Sequence, residues 1–308
     1  MNNKVFDQNL FKRILKYSKP YKKLMILVVI SAISLSIFAA LRPYLLKKTV
    51  DLYIQIKDKE GLIFYLFLMA LTLILEVSGQ YFFVLFSNVL GQNVVKDVRN
   101  KLFDHLLNFK IKYFDYSSVG QLVTRTVSDI EAIARIFSQG LFMIISDFLK
   151  MFVVLGFMLW MNWRLTLVVL AILPLLIYSI KIFQIKMKTS FEEVRHQVSQ
   201  LNTFVQERLT GMKIVQYFSR ENIEYQKFKE INEKHNKAWL KSILYTSIFF
   251  PISDIISSIT LGLVVYYGGI SILDGEKFTT LGDLFSYTMF IGMLYNPLRQ
   301  IADKFNEM

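Results

Sequence analysis

Leu24–Leu41 reads LMILVVISAISLSIFAAL, a run without a single charged residue. With the apolar residues just beyond it, such a run wound as a helix covers roughly 30 Å of hydrocarbon, the thickness of a bilayer core. Further apolar runs follow at Leu62–Leu90, Leu141–Met161, Leu165–Ile180, Ile243–Leu273 and Leu284–Leu298. The expected fold is therefore an all-α membrane protein with six long transmembrane helices that extend into the cytoplasm. Composition agrees: 54% of the 308 residues are hydrophobic and 15% aromatic, too apolar for one soluble core. The first run is longer than a usual signal-peptide h-region and reads as a retained span.

The stretches between the runs are unequal. Gly91–Gln139 and Lys181–Lys241 are long and polar, whereas Lys57–Gly61, Asn162–Trp163 and Asp274–Gly282 are brief. Basic residues follow the same division. Seven precede Leu24, seven lie in the first long stretch, twelve in the second and two after Leu298, while the short connections hold only Lys57, Lys59, Arg164 and Lys277. This positive-inside bias places both termini and both long stretches in the cytoplasm. Topology thus accounts for the net charge of +12 without nucleic acid as a partner.

Each long stretch carries an apolar stripe at helical spacing. Val94, Val95, Val98, Leu102, Leu106 and Phe109 form the first; Phe191, Val194, Val198, Leu201, Val205 and Leu209 form the second. The helices are expected to run on past the lipid, in antiparallel pairs reaching roughly 35 to 45 Å into water. Ahead of the first span, Leu10, Phe11, Ile14 and Leu15 oppose Lys12, Arg13 and Lys16, an interfacial helix pattern that ends at Pro20. Trp160 and Trp163 suit an outer-interface belt, and Pro174, Pro251 and Pro297 fall within or at the ends of spans.

Some chemistry is excluded. The chain has no cysteine, so it holds no disulfide and no thiolate metal site. His105, His196 and His235 are far apart, without metal-ligand spacing. No GxxxxGK[ST] loop is present, and no catalytic residues are assigned.

Tyr113-Phe114-Asp115, then Gly120-Gln121-Leu122, Arg125 and Asp129, and the run Glu207 to Val215 with Phe218, Glu221 and Phe228 come in an order that resembles the transmembrane half of a type IV ABC exporter. Trp163 to Leu167 with Pro174, and Gly282, Leu284, Tyr287 and Asn296-Pro297-Leu298, extend the resemblance over essentially the whole chain. Val119 and Gln121 depart from it modestly. The resemblance implies an N-terminal elbow helix over 1–20 and a six-helix domain over 21–308, with spans at about 22–55, 62–108, 127–161, 164–209, 237–273 and 280–308. It implies short coupling helices at about 112–119 and 210–218, seated on nucleotide-binding domains, with Tyr113, Phe114, Asp115, Gly120, Gly211, Tyr217 and Phe218 carrying the contact. Gly120 and Gly211 are expected to supply positive φ or close backbone approach where the chain reverses.

The resemblance also implies a bacterial multidrug or lipid A exporter-like half-transporter in the cytoplasmic membrane. A second such half would pair with it, as homodimer or heterodimer, and it would move a hydrophobic or amphipathic substrate by alternating access. The nucleotide-binding domain is absent from this chain. Fused C-terminally or separate, that domain would hold ATP and Mg; no cofactor is expected in the chain itself. A secondary carrier without an ATPase would show inverted repeats and broken helices; a non-transporting membrane module is the other alternative.

Ionisable residues in lipid normally face protein, water or a pathway. Glu76, Asp147, Lys150 and Asp254 lie within spans, and Arg42, Lys47 and Lys48 toward the outer end of the first. Asp147 and Lys150 are spaced to pair on one helix. Arg42, Glu76, Asp147, Lys150 and Asp254 are candidates for an inward cavity, and Arg42, Lys47 and Lys48 are able to meet a lipid phosphate or, equally, to snorkel to outer headgroups.

Overall fold

The computed structural model describes residues 18–116, 118–131, 142–275 and 278–307, with side chains through residue 300. The proposed elbow helix over 1–20 thus lies almost entirely outside the described residues. Among the described residues every regular element is helical. A 3-10 turn at Lys19–Tyr21 leads into α1 (Lys22–Thr49), which widens into a π turn at Val50–Ile54. Then come α2 (Lys59–Leu107), the short α3 (Ile111–Tyr116) and α4 (Val119–Thr124), the latter continued by a second π turn at Arg125–Asp129. Next are α5 (Phe142–Met161), α6 (Trp163–Thr210), the short α7 (Met212–Tyr217), α8 (Glu221–Leu273) and α9 (Leu281–Glu307).

Among the described residues, five helical stretches are long and apolar enough to cross a membrane: Lys19–Ile54, Lys59–Leu107, Phe142–Met161, Trp163–Thr210 and Glu221–Leu273. The expected sixth, α9, is a helix but is not among them. Its apolar run is diluted by Gly282, Asp283, Ser286, Thr288, Asn296 and Arg299.

Burial on α1 is inverted relative to a soluble helix. Ser31, Ala32, Ser36, Ala39 and Ala40 are buried, while Ile26, Val29, Ile30, Ile33 and Ile37 are exposed. Small residues inward let helices approach closely, and large aliphatics outward suit a hydrocarbon solvent. Ser36 returns its hydroxyl to the Ala32 carbonyl at 2.8 Å, so the buried stripe leaves that donor satisfied. The same division holds on α2, where Thr72, Ser87 and Gly91 are buried and Ile63, Phe67 and Ile74 exposed.

The chain divides into two compact units. One holds the described residues up to Thr166 together with Gly268–Pro297; the other holds Leu167–Tyr267 and the described residues from Leu298 onward. In the first unit, α1 and α2 form an antiparallel hairpin of constant register. The Tyr21 hydroxyl donates to Asp97 at 2.9 Å, Arg42 meets Glu76 at 3.5 Å, and the Tyr53 and Tyr65 rings lie 4.7 Å apart. Each advance along α1 between these rungs equals the retreat along α2.

The second unit is built on the same plan. Phe183 packs on Phe249 with centroids 5.7 Å apart, Phe204 on Phe228 at 6.4 Å, and Arg208 reaches Glu224 at 2.6 Å. The steps along α6 and α8 again match. Beyond Ile180, α6 continues for about 45 Å, and α2 runs about 25 Å beyond Leu90. Length past the apolar runs thus differs between the two arms.

Candidate coupling tips and buried polar network

Two reversals of the chain carry the residues expected to couple. At the first, α2 ends at Leu107, where the Asn108 side-chain amide donates to the Asp104 carbonyl at 2.8 Å. The rings of His105, Phe109, Tyr113 and Phe114 then follow one another edge to face, with centroids 4.8, 4.5 and 5.9 Å apart. His105 is thereby part of an aromatic file. Tyr113, Phe114 and Tyr116 remain exposed, as does Asp115.

The expected helix over 112–119 is broken in two. Ser118 is extended (φ −68°, ψ 134°) and caps α4, its hydroxyl accepting from the Gln121 amide at 3.3 Å. Gly120 sits in the first turn of α4 with open space around any added Cβ and without positive φ. The expectation of a special backbone at Gly120 is therefore corrected: Ser118 makes the break, by an N-cap, not the glycine.

The second reversal is tighter. Gly211 (φ −93°, ψ 16°) precedes α7, and an added Cβ would come within 3.2 Å of the Glu207 carbonyl oxygen. Close approach is real there, but positive φ is not. That conformation belongs to Ser219 (φ 50°), which ends α7, while the Arg220 amide donates to the Val215 carbonyl at 3.0 Å. Tyr217, the last residue of α7, is 91% exposed, and Phe218, which follows it, 73%. Large aromatics so presented to water signal a binding surface.

A clamp closes the base of this tip. Arg208 lies 2.6 Å from Glu224 and over the Phe204 ring at 5.1 Å, and Lys227 donates to the same carboxylate at 3.2 Å. Burial pushes the Glu224 carboxyl up, but the hydrogen bond from Lys227 and the charges of Arg208 and Lys227 outweigh it. The group is left below its ordinary value of 4.5.

Of the intramembrane candidates, Arg42 and Glu76 form the ion pair noted above, both largely shielded. Asp254 is two-thirds exposed and pairs with Arg299, which also donates to the Ser253 carbonyl at 3.0 Å. Asp147 and Lys150 lie three residues apart on α5, each half-buried. Within the first unit the structure brings Arg42 and Glu76 together.

Lys47 does not snorkel. Its Nζ lies 2.6 Å from Asp283, whose side chain is 1% exposed. Around this pair, Asp51 accepts from the Thr280 hydroxyl at 2.6 Å and the Gly282 amide at 2.8 Å, and Asp283 accepts from the Thr280 amide at 3.0 Å. The Asp283 amide donates back to the Thr280 hydroxyl at 3.2 Å, which makes Thr280 and Asp283 a reciprocal cap at the start of α9. Close beside it, Tyr287 donates toward the Asn162 carbonyl at 2.6 Å and lies 2.7 Å from the Thr166 hydroxyl. Asp51, Thr280 and Asp283 were not singled out by sequence; the Thr-x-x-Asp spacing ahead of an apolar run was the available signal.

Residues 25–298 match the family described as ABC transporter transmembrane region. The chain belongs to that family. Among relatives of this ABC transmembrane region is the uncharacterized ABC transporter ATP-binding protein YknV of Bacillus subtilis, 24% identical over 96% of this chain and 49% of that protein. The ATP-dependent lipid A-core flippase of Syntrophus aciditrophicus is 24% identical over the same shares. The Bacillus subtilis ATP-binding/permease protein YgaD, described by name as a candidate for multidrug export, is 28% identical over 95% of this chain and 51% of its own length. This ABC transmembrane region thus spans about half the length of the curated relatives it matches. With its apolar helices, it is a multi-pass membrane protein.

Proposed function

We propose that the chain is the membrane half of an ATP-driven exporter, working with a nucleotide-binding domain and a second transmembrane half. It moves a hydrophobic or amphipathic substrate, lipid or drug-like, outward across a bacterial cytoplasmic membrane, with both termini cytoplasmic. The observation that carries this reading is the second tip: Tyr217 and Phe218 stand exposed at the end of helices that outrun the lipid, braced by Arg208 and Glu224. A lone membrane bundle gains nothing from such a surface; a motor domain seated on it gains large apolar anchors and a rigid arm. Relatives about twice as long, one named an ATP-binding protein and one named ATP-dependent, support the same partner.

In the proposed cycle, ATP closes the motor domains and displaces both tips. The long helices carry the displacement as rigid bodies to the spans, exchanging inward and outward access. Arg42, Glu76, Asp147, Lys150 and Asp254 are proposed to line the pathway, where each charge meets substrate or its protein partner in turn.

The test is reconstitution in proteoliposomes with the nucleotide-binding partner, reading ATP hydrolysis and movement of a fluorescent lipid analogue. Replacing Tyr217 and Phe218 by Ser is expected to leave nucleotide binding intact and abolish ATP-dependent movement. Movement of the probe without ATP, or unaltered coupling in the double variant, would refute the reading.

A further inference from the structure

The Lys47–Asp283 network is buried, with the Asp283 side chain 1% exposed. Thr49 meets Met69 across the α1–α2 hairpin, its hydroxyl 3.8 Å from the sulfur, and Met69 lies about 10 Å along α2 from Leu62, where the apolar run of α2 begins. Lys47 and Asp51 flank Thr49. Lys47 lies about 35 Å along α1 from Leu24, so the network sits at the outer end of the span, level with exposed Phe67 of α2. Ionised groups persist in so buried a site only while they satisfy one another.

We propose that Lys47, Asp51, Thr280, Gly282 and Asp283 form a latch, which holds the outer end of α1 against the first turn of α9 and breaks when the transporter opens outward. This rests on the alternating-access reading above. All the cross-links of the network join these two segments, so a small separation breaks them together and parts the carboxylates from the ammonium. Partial opening is therefore disfavoured, and the pair has a closed dry state and an open wet one.

The helix itself supplies the alternative partners. Lys47 and Asp51 are four residues apart on consecutive turns, a spacing at which a lysine and an aspartate on one helix meet each other. In this structure each instead reaches α9, and the π turn Val50–Ile54, which contains Asp51, begins at that point. The Val50 amide is shared between the Leu46 and Lys47 carbonyls, a three-centre bond of the kind common at helix ends. On release, Lys47 and Asp51 pair within α1, while Asp283 keeps the Thr280 amide through the reciprocal cap. Every charge has a partner in both states, which is what a two-state element needs.

The chain has no cysteine, so a single introduced pair reads the latch. Asp51→Cys with Thr280→Cys, in liposomes with the nucleotide-binding partner, is treated with a short bifunctional methanethiosulfonate, nucleotide-free and after trapping with ATP and vanadate. Crosslinking is expected nucleotide-free, to fall at least about tenfold on trapping, and to block turnover until dithiothreitol restores it. Equal yield in both states, or no crosslink in the nucleotide-free protein, overturns the latch. Failure to trap labelled ADP instead overturns the exporter reading beneath it. Independently, Ser286→Cys, buried and bonded to the Pro43 carbonyl, should gain labelling by an impermeant maleimide only on trapping. Labelling unchanged by nucleotide would again overturn the latch.

Discussion

Gly282→Ala tests how closely α1 and α9 approach. A Cβ built on Gly282 falls 2.5 Å from the Lys47 carbonyl oxygen and 2.7 Å from the Asp51 carboxylate. Ordinary carbon contacts begin nearer 3.5 Å, so the helices must part by about 1 Å, and a backbone carbonyl cannot swing aside. Overpacking of this kind costs about 1–3 kcal/mol. Parting also stretches the 2.8 Å bond from the Gly282 amide to Asp51, charge-assisted and worth about 1.5–3 kcal/mol. The two together give about 2.5–6 kcal/mol. The assay is the thermal midpoint of the purified protein in detergent, followed by the monodisperse peak in size exclusion, and a fall of at least about 5 °C is expected. Gly156→Ala is the control, because nothing lies within 4 Å of its Cβ. It should be neutral or slightly stabilising, by up to about 1 kcal/mol within α5. Equal midpoints for the two variants would refute the close approach.

Three further outcomes follow from the same contacts. Asp283→Ala should destabilise by about 3–5 kcal/mol, since it strands Lys47; adding Lys47→Met should recover at least about 1 kcal/mol, and strict additivity in the double-mutant cycle would contradict the pairing. Glu224 has a lowered folded value, so its contribution is full above its ordinary 4.5 and lost as pH falls through the lower folded value. The midpoint difference between wild type and Glu224→Gln should therefore be constant from pH 7 to about 5 and close only in more acid solution; a gap that persists at the acid end would argue against the clamp. Tyr217→Ser with Phe218→Ser should leave stability within about 0.5 kcal/mol, because both side chains are already in solvent. A large loss would make the tip structural.

The helices were legible because hydrocarbon imposes long apolar runs, and five of them answered to that pattern. α9 was read as a span from the apolar run Leu284–Leu298, and its polar first turn explains why it is not among the five. Partners of the buried charges were not legible: Lys47 and Asp283 are 236 positions apart, and composition alone equally allowed snorkelling. The register of α1 on α2 emerges only from contacts such as Tyr21 with Asp97. The glycines misled for a physical reason. Positive φ is cheapest for glycine, yet Ser219 and Lys57 take it where a helix must end, and Gly120 was free to sit in an ordinary helical turn.

The α1–α2 hairpin is also a calibrated scale. Tyr21–Asp97 and Arg42–Glu76 are two fixed marks, and equal numbers of residues separate them on each arm. Deleting one residue between the marks turns the remainder of that helix by about 100°, so one mark can be kept only by surrendering the other. Length variation in this hairpin must then fall outside the marks or strike both arms at once. Spin labels placed at matched positions between them would report sliding and splaying of the two arms as separate, numerically predictable distance changes.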